Sequence, residues 1–93
     1  MLVEAVSKKW TLYILKCKDG TLYTGITDDL QRRLQAHRTG KGAKYTRGRG
    51  PLTLCYVEEC ESHSCALRRE LAVKKLSRSE KLALCSTYEI EEG

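Results

Sequence analysis

An acidic residue in the second half of the chain is the first candidate for chemistry. Glu70 lies in a stretch predicted to be helical, and its neighbours on the helix surface are Ala66, Leu67, Val73 and Lys74. A carboxylate at the border of an apolar face is uncommon unless it is paired or binds a metal. Glu70 is therefore either a Mg²⁺ ligand or the partner of Lys74 in an ion pair one helical turn away. The spacing alone does not choose between these two interpretations.

Positive charge is concentrated in one part of the chain. The window 30–57 holds seven basic residues and no acidic residue, whereas the rest, with 10 basic and 12 acidic residues, has a net charge of −2. Arginine side chains and glycine-rich loop amides bind phosphate well, so this window predicts a nucleic-acid-binding surface. The alternative is a solvated loop whose charges have no role. The seven residues are Arg32, Arg33, Arg38, Lys41, Lys44, Arg47 and Arg49.

Two tyrosines that precede this basic window and one histidine within it are further candidates for chemistry. Tyr13 and Tyr23 are ten residues apart on two strands that we expect to pair, and by themselves they are typical packing residues. His37 follows Arg33 by four residues, so both side chains project from one face of a predicted helix. A lone surface histidine carries little information about function. The combination of His37 with Arg33 and two tyrosines is more informative.

The elements that must position these side chains follow from periodicity and capping signals. A hairpin is predicted at 10–27 around Lys18-Asp19-Gly20, and a helix capped by Asp28 or Asp29, with Gln31 in a capping box, ends near Thr39-Gly40. The later elements are a strand at Leu52–Val57, a helix at about Ser62–Leu76, and a helix from Ser77 to about Cys85 with the capping box Ser77-x-x-Glu80. The order β-β-α-β-α-α predicts an α+β domain with a small sheet flanked by helices.

Length and composition exclude several classes of protein. With 93 residues, 41% hydrophobic and 31% charged, the chain fits one globular domain, 1–93, with a core at about 10–85. It has no apolar run long enough for a membrane helix and no secretory signal at its start, so we expect a cytoplasmic protein that does not associate with membranes. The five cysteines are odd in number and lack zinc-site spacing, and we interpret them as reduced thiols.

Five segments together resemble the GIY-YIG nuclease domain, over about Thr11 to Leu84. They are Y-I-L from Tyr13, Y-T-G from Tyr23, R-x-x-x-H from Arg33, K-Y-T-R-G-R-G-P from Lys44, and R-R-E ending at Glu70. The sequence looks closest to short single-domain bacterial members. The resemblance implies a three-stranded sheet flanked by helices and an endonuclease that cleaves DNA, branched or damaged, as in DNA repair.

The resemblance also implies roles for individual residues. Tyr13 and Tyr23 correspond to the motif tyrosines, Gly25 to the motif glycine, Arg33 to a phosphate-binding arginine, and His37 to its neighbour near the proton transfer. Glu70 corresponds to the ligand of a single divalent ion, Mg²⁺ or Mn²⁺. In such a site the ion polarises the phosphate, Arg33 neutralises developing charge, and a tyrosine, with a slight preference for Tyr23, activates water.

A shared active site makes a prediction about the hairpin. A two-residue turn at Asp19-Gly20 would place Tyr13 and Tyr23 on opposite faces of the sheet. We therefore predict a three-residue turn, or a bulge before Tyr23, that brings both rings to one face.

Departures from the family pattern leave a second hypothesis open. The motifs here are L-Y-I and Y-T-G, mild variations that keep both tyrosines, but the chain contains no asparagine, although many members carry one near the end of the domain. The missing asparagine favours a non-catalytic module that binds nucleic acid, RNA included, through the same fold. Without an additional targeting domain, substrate choice could depend on a protein partner.

Overall fold

A computed structural model describes residues 9–39 and 51–87 of the chain. Lys41, Lys44, Arg47 and Arg49 of the predicted phosphate-binding surface lie outside the described residues. The elements are β1 (Trp10–Lys16), β2 (Leu22–Thr27), α1 (Leu30–Arg38), β3 (Thr53–Cys60), α2 (His63–Lys74) and α3 (Arg78–Thr87). This order confirms the predicted α+β fold. The three strands form one antiparallel sheet in the order β2-β1-β3.

The hairpin between β1 and β2 has the predicted three-residue turn. The Cys17 amide donates to the Thr21 carbonyl at 2.8 Å, which leaves residues 18–20 as the loop. Gly20 has a φ of +88°, a conformation that L-residues adopt only at a cost, and this is the glycine position of a three-residue hairpin. The Asp19 carboxylate accepts hydrogen bonds from the Thr21 amide and hydroxyl, at 3.1 and 2.7 Å. The turn therefore fixes a register in which Tyr13 lies opposite Gly25.

Strand β3 is longer than predicted. It continues to Cys60 instead of ending at Val57, because the carboxylate of Glu58 accepts hydrogen bonds from other side chains of the fold. The Tyr56 hydroxyl donates to it at 2.6 Å, and the Arg69 guanidinium donates to it at 2.7 Å from α2. Burial alone would raise the pKa of Glu58, but these two hydrogen bonds outweigh it and hold the pKa below its usual range.

The two faces of the sheet carry separate cores. On one face Tyr13 and Leu15 pack with Leu34 of α1. On the other face Leu12 and Ile14 pack with Val73 of α2, together with partly buried residues that include Leu76 and Leu84. Side chains 12–15 of the central strand are at most 1% exposed. Strand β1 is therefore the buried axis of the fold, and the functional side chains must reach solvent elsewhere.

Capping fixes the ends of the helices. Asp29, one of the two predicted residues, caps α1 by accepting from the Arg32 amide, so Gln31 lies one position short of the predicted capping-box partner. Helix α1 ends at Thr39, as predicted. At the start of α3 the predicted box is present, because the Ser77 amide donates to Glu80 and the Glu80 amide donates to the Ser77 hydroxyl.

Candidate nuclease site at the edge of the sheet

The two tyrosines lie on one face of the sheet. Tyr13 pairs with Gly25 and Leu15 pairs with Tyr23, so the register places both rings on the side covered by α1. Their ring centroids are 6.3 Å apart. Tyr13 is fully buried, whereas Tyr23 is only half-buried. The predicted turn thus achieves the arrangement that a shared site requires.

Gly25 is the position at which the Tyr13 ring crosses β2. A Cβ atom at Gly25 would fall 2.7 Å from the Tyr13 hydroxyl oxygen, 2.8 Å from its Cζ and 3.1 Å from Cε2 of Tyr23. Distances this short are not tolerated, so the backbone must lack a side chain here. The motif glycine therefore serves close packing rather than backbone flexibility.

Helix α1 places two side chains on the Tyr13 hydroxyl. The Nε2 atom of His37 lies 2.9 Å from it, and Nε of Arg33 donates to it at 3.4 Å. Leu34 buries the same face of α1 against Tyr13, which holds the helix in place. The His37 ring is 3% exposed and stands edge-on to both tyrosine rings, at centroid distances of 5.8 and 5.4 Å.

The electrostatics of this cluster define the direction of its hydrogen bonds. Burial, followed by the positive charge of Arg33, lowers the pKa of His37, so the imidazole is neutral at pH 7. Burial raises the pKa of the Tyr13 phenol, against an opposing hydrogen bond from Arg33. Arg33 can only donate, so the Tyr13 oxygen accepts from it, and in the His37 tautomer that carries its proton on Nδ1 the Tyr13 hydroxyl donates to Nε2. The chain runs from Arg33 through Tyr13 to His37.

Arg33 also interacts with the second tyrosine. Its pKa is raised, first by the hydrogen bond with Tyr13, with further contributions from the hydroxyl and charge of Tyr23. The guanidinium is therefore shared between the two phenols. It also lines a surface cavity of about 330 Å³ that is bordered by Thr27, Asp28, Asp29, Arg32, Arg33 and Ala36. Arg38, at the end of α1, is exposed.

Glu70, on α2, is near enough to this cluster for its charge to act on Tyr13. Both of its sequence interpretations remain open, because Lys74 lies 3.2 Å from its carboxylate while its charge also helps to raise the pKa of Tyr13. The Glu70 side chain is 17% exposed and the Lys74 side chain 51% exposed. An i,i+4 pair with one solvated partner contributes only about 0.3–0.5 kcal/mol. The ion pair is thus weak enough for a divalent cation to displace Lys74.

The donor set fits one divalent ion of the magnesium type. In residues 9–39 and 51–87, no three His, Cys, Asp or Glu side chains converge on a common point. A Zn²⁺-type cage is therefore absent from the described part of the chain. Mg²⁺ is commonly held by one or two carboxylates, with waters and substrate phosphate oxygens completing its coordination. Glu70 as a single carboxylate matches that pattern.

The helices and the cysteines of residues 9–39 and 51–87 complete the description of the chain. Neither range contains a helix long and apolar enough to cross a membrane. All five cysteines fall within the described ranges and carry free thiols, of which Cys17 and Cys60 are buried.

The fold and this site define the class of the protein. Residues 9–83 match the model of the GIY-YIG catalytic domain, and the chain belongs to that family. The predicted resemblance is thereby confirmed, and with it a relationship to nucleases.

Relatives at the level of the whole chain are short proteins. The UPF0213 protein CPE1444 of Clostridium perfringens is 54% identical over 81 residues, which cover 87% of each chain. The UPF0213 protein VNG_2274C of Halobacterium salinarum is 55% identical over 73 residues, or 78% of this chain and 95% of its own. The solution NMR structure of the UPF0213 protein BH0048 of Bacillus halodurans is 51% identical, with a TM-score of 0.56, over 85% of this chain and 84% of that one. These names state no activity, so the reaction must be argued from the site.

Proposed function

We propose that this protein is a metal-dependent endonuclease that hydrolyses phosphodiester bonds in DNA. The observation that carries the proposal is the hydrogen-bonded chain from Arg33 through Tyr13 to His37, with Tyr23 beside it on the same face. Tyrosine packing alone would need neither a shared arginine nor a buried neutral histidine. Family membership supports a nuclease, and the chemistry of the cluster supports phosphodiester cleavage.

The two tyrosines take different roles because they differ in burial. Tyr13 is fully buried and its hydroxyl is already hydrogen-bonded to His37, so it positions its neighbours and does not reach the substrate. Tyr23 is half-buried and lies at the margin of the cluster, where water has access. Tyr23 therefore orients the attacking water by a hydrogen bond to its phenol oxygen, beside the Arg33 guanidinium. This agrees with the preference for Tyr23 drawn from the sequence.

Arg33 and Glu70 act on the phosphate from two sides. Arg33, with Arg32 along the same cavity, neutralises the charge that develops on the non-bridging oxygens. Glu70 would hold the divalent ion, which when bound supplies Lewis-acid polarisation of the phosphate and support for the leaving oxygen. The His37 imidazole lies 2.9 Å from the Tyr13 hydroxyl and edge-on to both tyrosine rings, so it helps to hold the hydroxyl that Arg33 contacts. His37 is thus a positioning residue.

Cleavage assays with matched variants test this proposal. Purified protein is incubated with branched, nicked and linear DNA, and with RNA, in the presence of Mg²⁺, Mn²⁺ or a chelator. We expect cleavage that requires the metal and is abolished by Glu70→Gln, and a loss of about 10²-fold or more for Arg33→Ala. Glu61→Gln, which removes an exposed carboxylate just before α2, is the control and should cleave like the wild type.

The outcomes separate the enzyme from the alternative. Cleavage that survives Glu70→Gln would show a contaminating nuclease and contradict the mechanism. Binding by the wild type and both variants without any cleavage would identify the non-catalytic nucleic-acid-binding module, which the absence of asparagine favours.

A further inference from the structure

A second cavity lies at the hairpin end of the sheet, apart from the Tyr13 cluster, which is the group formed by Tyr13, Tyr23, Arg33 and His37. It has a volume of about 220 Å³ and is lined by Thr21, Leu22, Arg78 and Lys81. We call it the hairpin-end cavity. Thr21 at the end of the hairpin turn, Leu22 of β2 and two residues of the first turn of α3 form it, so it joins parts of the chain that are 56 or more positions apart. Neither the family motifs nor the basic window 30–57 includes any of its residues.

The hairpin-end cavity is positively charged. Residues 16–22 and 77–81 together contain four basic and two acidic side chains. Both carboxylates already accept hydrogen bonds within the protein, Asp19 from Thr21 and Glu80 from the Ser77 amide. Among the described residues neither Arg78 nor Lys81 has a carboxylate partner within 4 Å. The two cations therefore keep their charge for a ligand.

Arg78 is held in an orientation suited to binding. One of its terminal nitrogens donates to the Gly20 carbonyl at 2.7 Å, which fixes the side chain against the turn. A guanidinium has five N–H donors, so this contact leaves others available. A side chain that is already ordered loses less conformational entropy when it binds a second oxygen. Because the α3 amides of Ser77 and Glu80 are occupied by the capping box, the binding capacity belongs to the side chains and not to the helix end.

The hairpin-end cavity shares the edge strand β2 with the candidate nuclease site but lies on the other face, because Leu22 packs toward Leu12 and Ile14 whereas Tyr23 packs toward Tyr13 and Leu15. In the described part of the chain β2 is an edge strand. Leu22 lines the hairpin-end cavity, and Tyr23 belongs to the Tyr13 cluster, against which Gly25 packs. Thr27 lines the surface cavity that Arg33 also borders.

From Leu22, strand β2 rises by about 3 Å to Tyr23 and by about 10 Å to Gly25. The phosphates of one strand of a duplex advance by about 3.4 Å per nucleotide along its axis. The separation thus corresponds to about one to three nucleotides.

We propose that the hairpin-end cavity binds a non-scissile backbone phosphate of the nucleic acid that the Tyr13 cluster acts on. Arg78 and Lys81 contact the phosphate oxygens about one to three nucleotides from the cleaved bond, and the contact carries no base specificity. It fixes the register of the strand along β2 and so determines which phosphodiester reaches Tyr23. This inference rests on the proposed function, because it assumes a nucleic-acid ligand.

Salt-dependent binding tests the site separately from catalysis. The affinity of the wild type and of Lys81→Gln for a fluorescein-labelled nicked DNA duplex is measured by fluorescence anisotropy in a chelator, so that no cleavage occurs. Loss of one phosphate contact lowers the slope of log affinity against log salt by about 0.9. Between about 50 and 200 mM salt, the wild type should therefore lose about 3.5-fold more affinity than Lys81→Gln. The loss in Lys81→Gln should be the same for duplexes of different sequence.

Two further variants complete the experiment. Lys9→Gln removes an exposed positive charge at the opposite end of β1 and should keep the wild-type slope. Arg78→Lys keeps the positive charge but loses the planar guanidinium with its several N–H donors. This variant should bind the DNA more weakly than the wild type, with an unchanged salt slope. Thermal melting confirms that each variant is folded.

The results distinguish the two proposals. If the wild type and Lys81→Gln share one slope and one affinity, the hairpin-end cavity does not bind the nucleic acid, whatever the cleavage assays show. If Lys81→Gln lowers the slope while the wild type cleaves nothing, the phosphate site holds and the catalytic proposal fails. If the wild type binds neither DNA nor RNA, both are overturned.

Discussion

Gly25→Ala is the most direct test of how the candidate site is built. The added Cβ would lie 2.7 Å from the Tyr13 hydroxyl oxygen and 2.8 Å from its Cζ. Tyr13 is fully buried between β2 and α1, so its ring has no free volume into which it can move. The clash can be relieved only if β2 moves away from the ring or if Tyr13 abandons its contact with His37.

The expected loss of stability follows from these alternatives. Overpacking of a core costs about 1–3 kcal/mol, and loss of the Tyr13–His37 hydrogen bond costs about 0.5–1.5 kcal/mol. The lower conformational entropy of alanine in the unfolded chain offsets about 0.4–1 kcal/mol. The net destabilisation is about 2 kcal/mol, and for a domain of this size the melting temperature should fall by roughly 8–16 °C.

The assay combines thermal melting with NMR titration of the His37 ring. In the wild type, burial holds the pKa of His37 below its usual value, and in Gly25→Ala it should move back toward that value as the cluster opens. Gly20→Ala is the control, because its backbone is strained by a φ of +88° but its Cβ would meet only Arg78, at 3.8 Å. That variant should lose about 1–2 kcal/mol and leave the His37 titration unchanged. A Gly25→Ala protein that melts within about 2 °C of the wild type would refute the packing argument.

Two further predictions concern buried polar groups. Thr24 is 4% exposed and its hydroxyl has no hydrogen-bond partner in the described structure, so Thr24→Val should stabilise the protein by about 1 kcal/mol; a melting temperature equal to or below that of the wild type would contradict this. Because the pKa of His37 is lowered on folding, the unfolded chain takes up a proton first as the pH falls below about 6.5, and stability should decrease there. Urea unfolding across this range should show the decrease in the wild type and in His63→Gln, an exposed-histidine control, but not in His37→Gln.

The register of the hairpin could be predicted from the sequence because three constraints agree. Gly20 suits the left-handed position of a three-residue turn, side chains alternate along a strand, and two tyrosines must share a face to form one site. The cap at Ser77 could be predicted for a similar reason, since the partners Ser77 and Glu80 are local. Features set by contacts within one turn of chain leave a direct signal in the sequence.

Features set by contacts between distant elements did not leave such a signal. Strand β3 extends past the predicted end at Val57, and the Arg69 side chain that binds the Glu58 carboxylate there comes from α2. Similarly, the overall charge outside the window 30–57 is negative, which conceals the local positive charge where Arg78 and Lys81 meet the hairpin. Only the packing of α3 against the turn shows that these charges lie together.

The position of the candidate site at β2 has a physical explanation in the layered fold. The central strand β1 is covered on both sides, by α1 on one face and by α2 on the other, so no extended ligand can reach it. At the edge strand both layers become accessible at once. A nucleic-acid strand following β2 can meet Arg33 from the α1 layer and Glu70 and Lys81 from the α2–α3 layer. On the proposed function, an anionic substrate at this edge is within reach of cations from both layers and of the Glu70 carboxylate, a combination that neither face of the sheet offers alone.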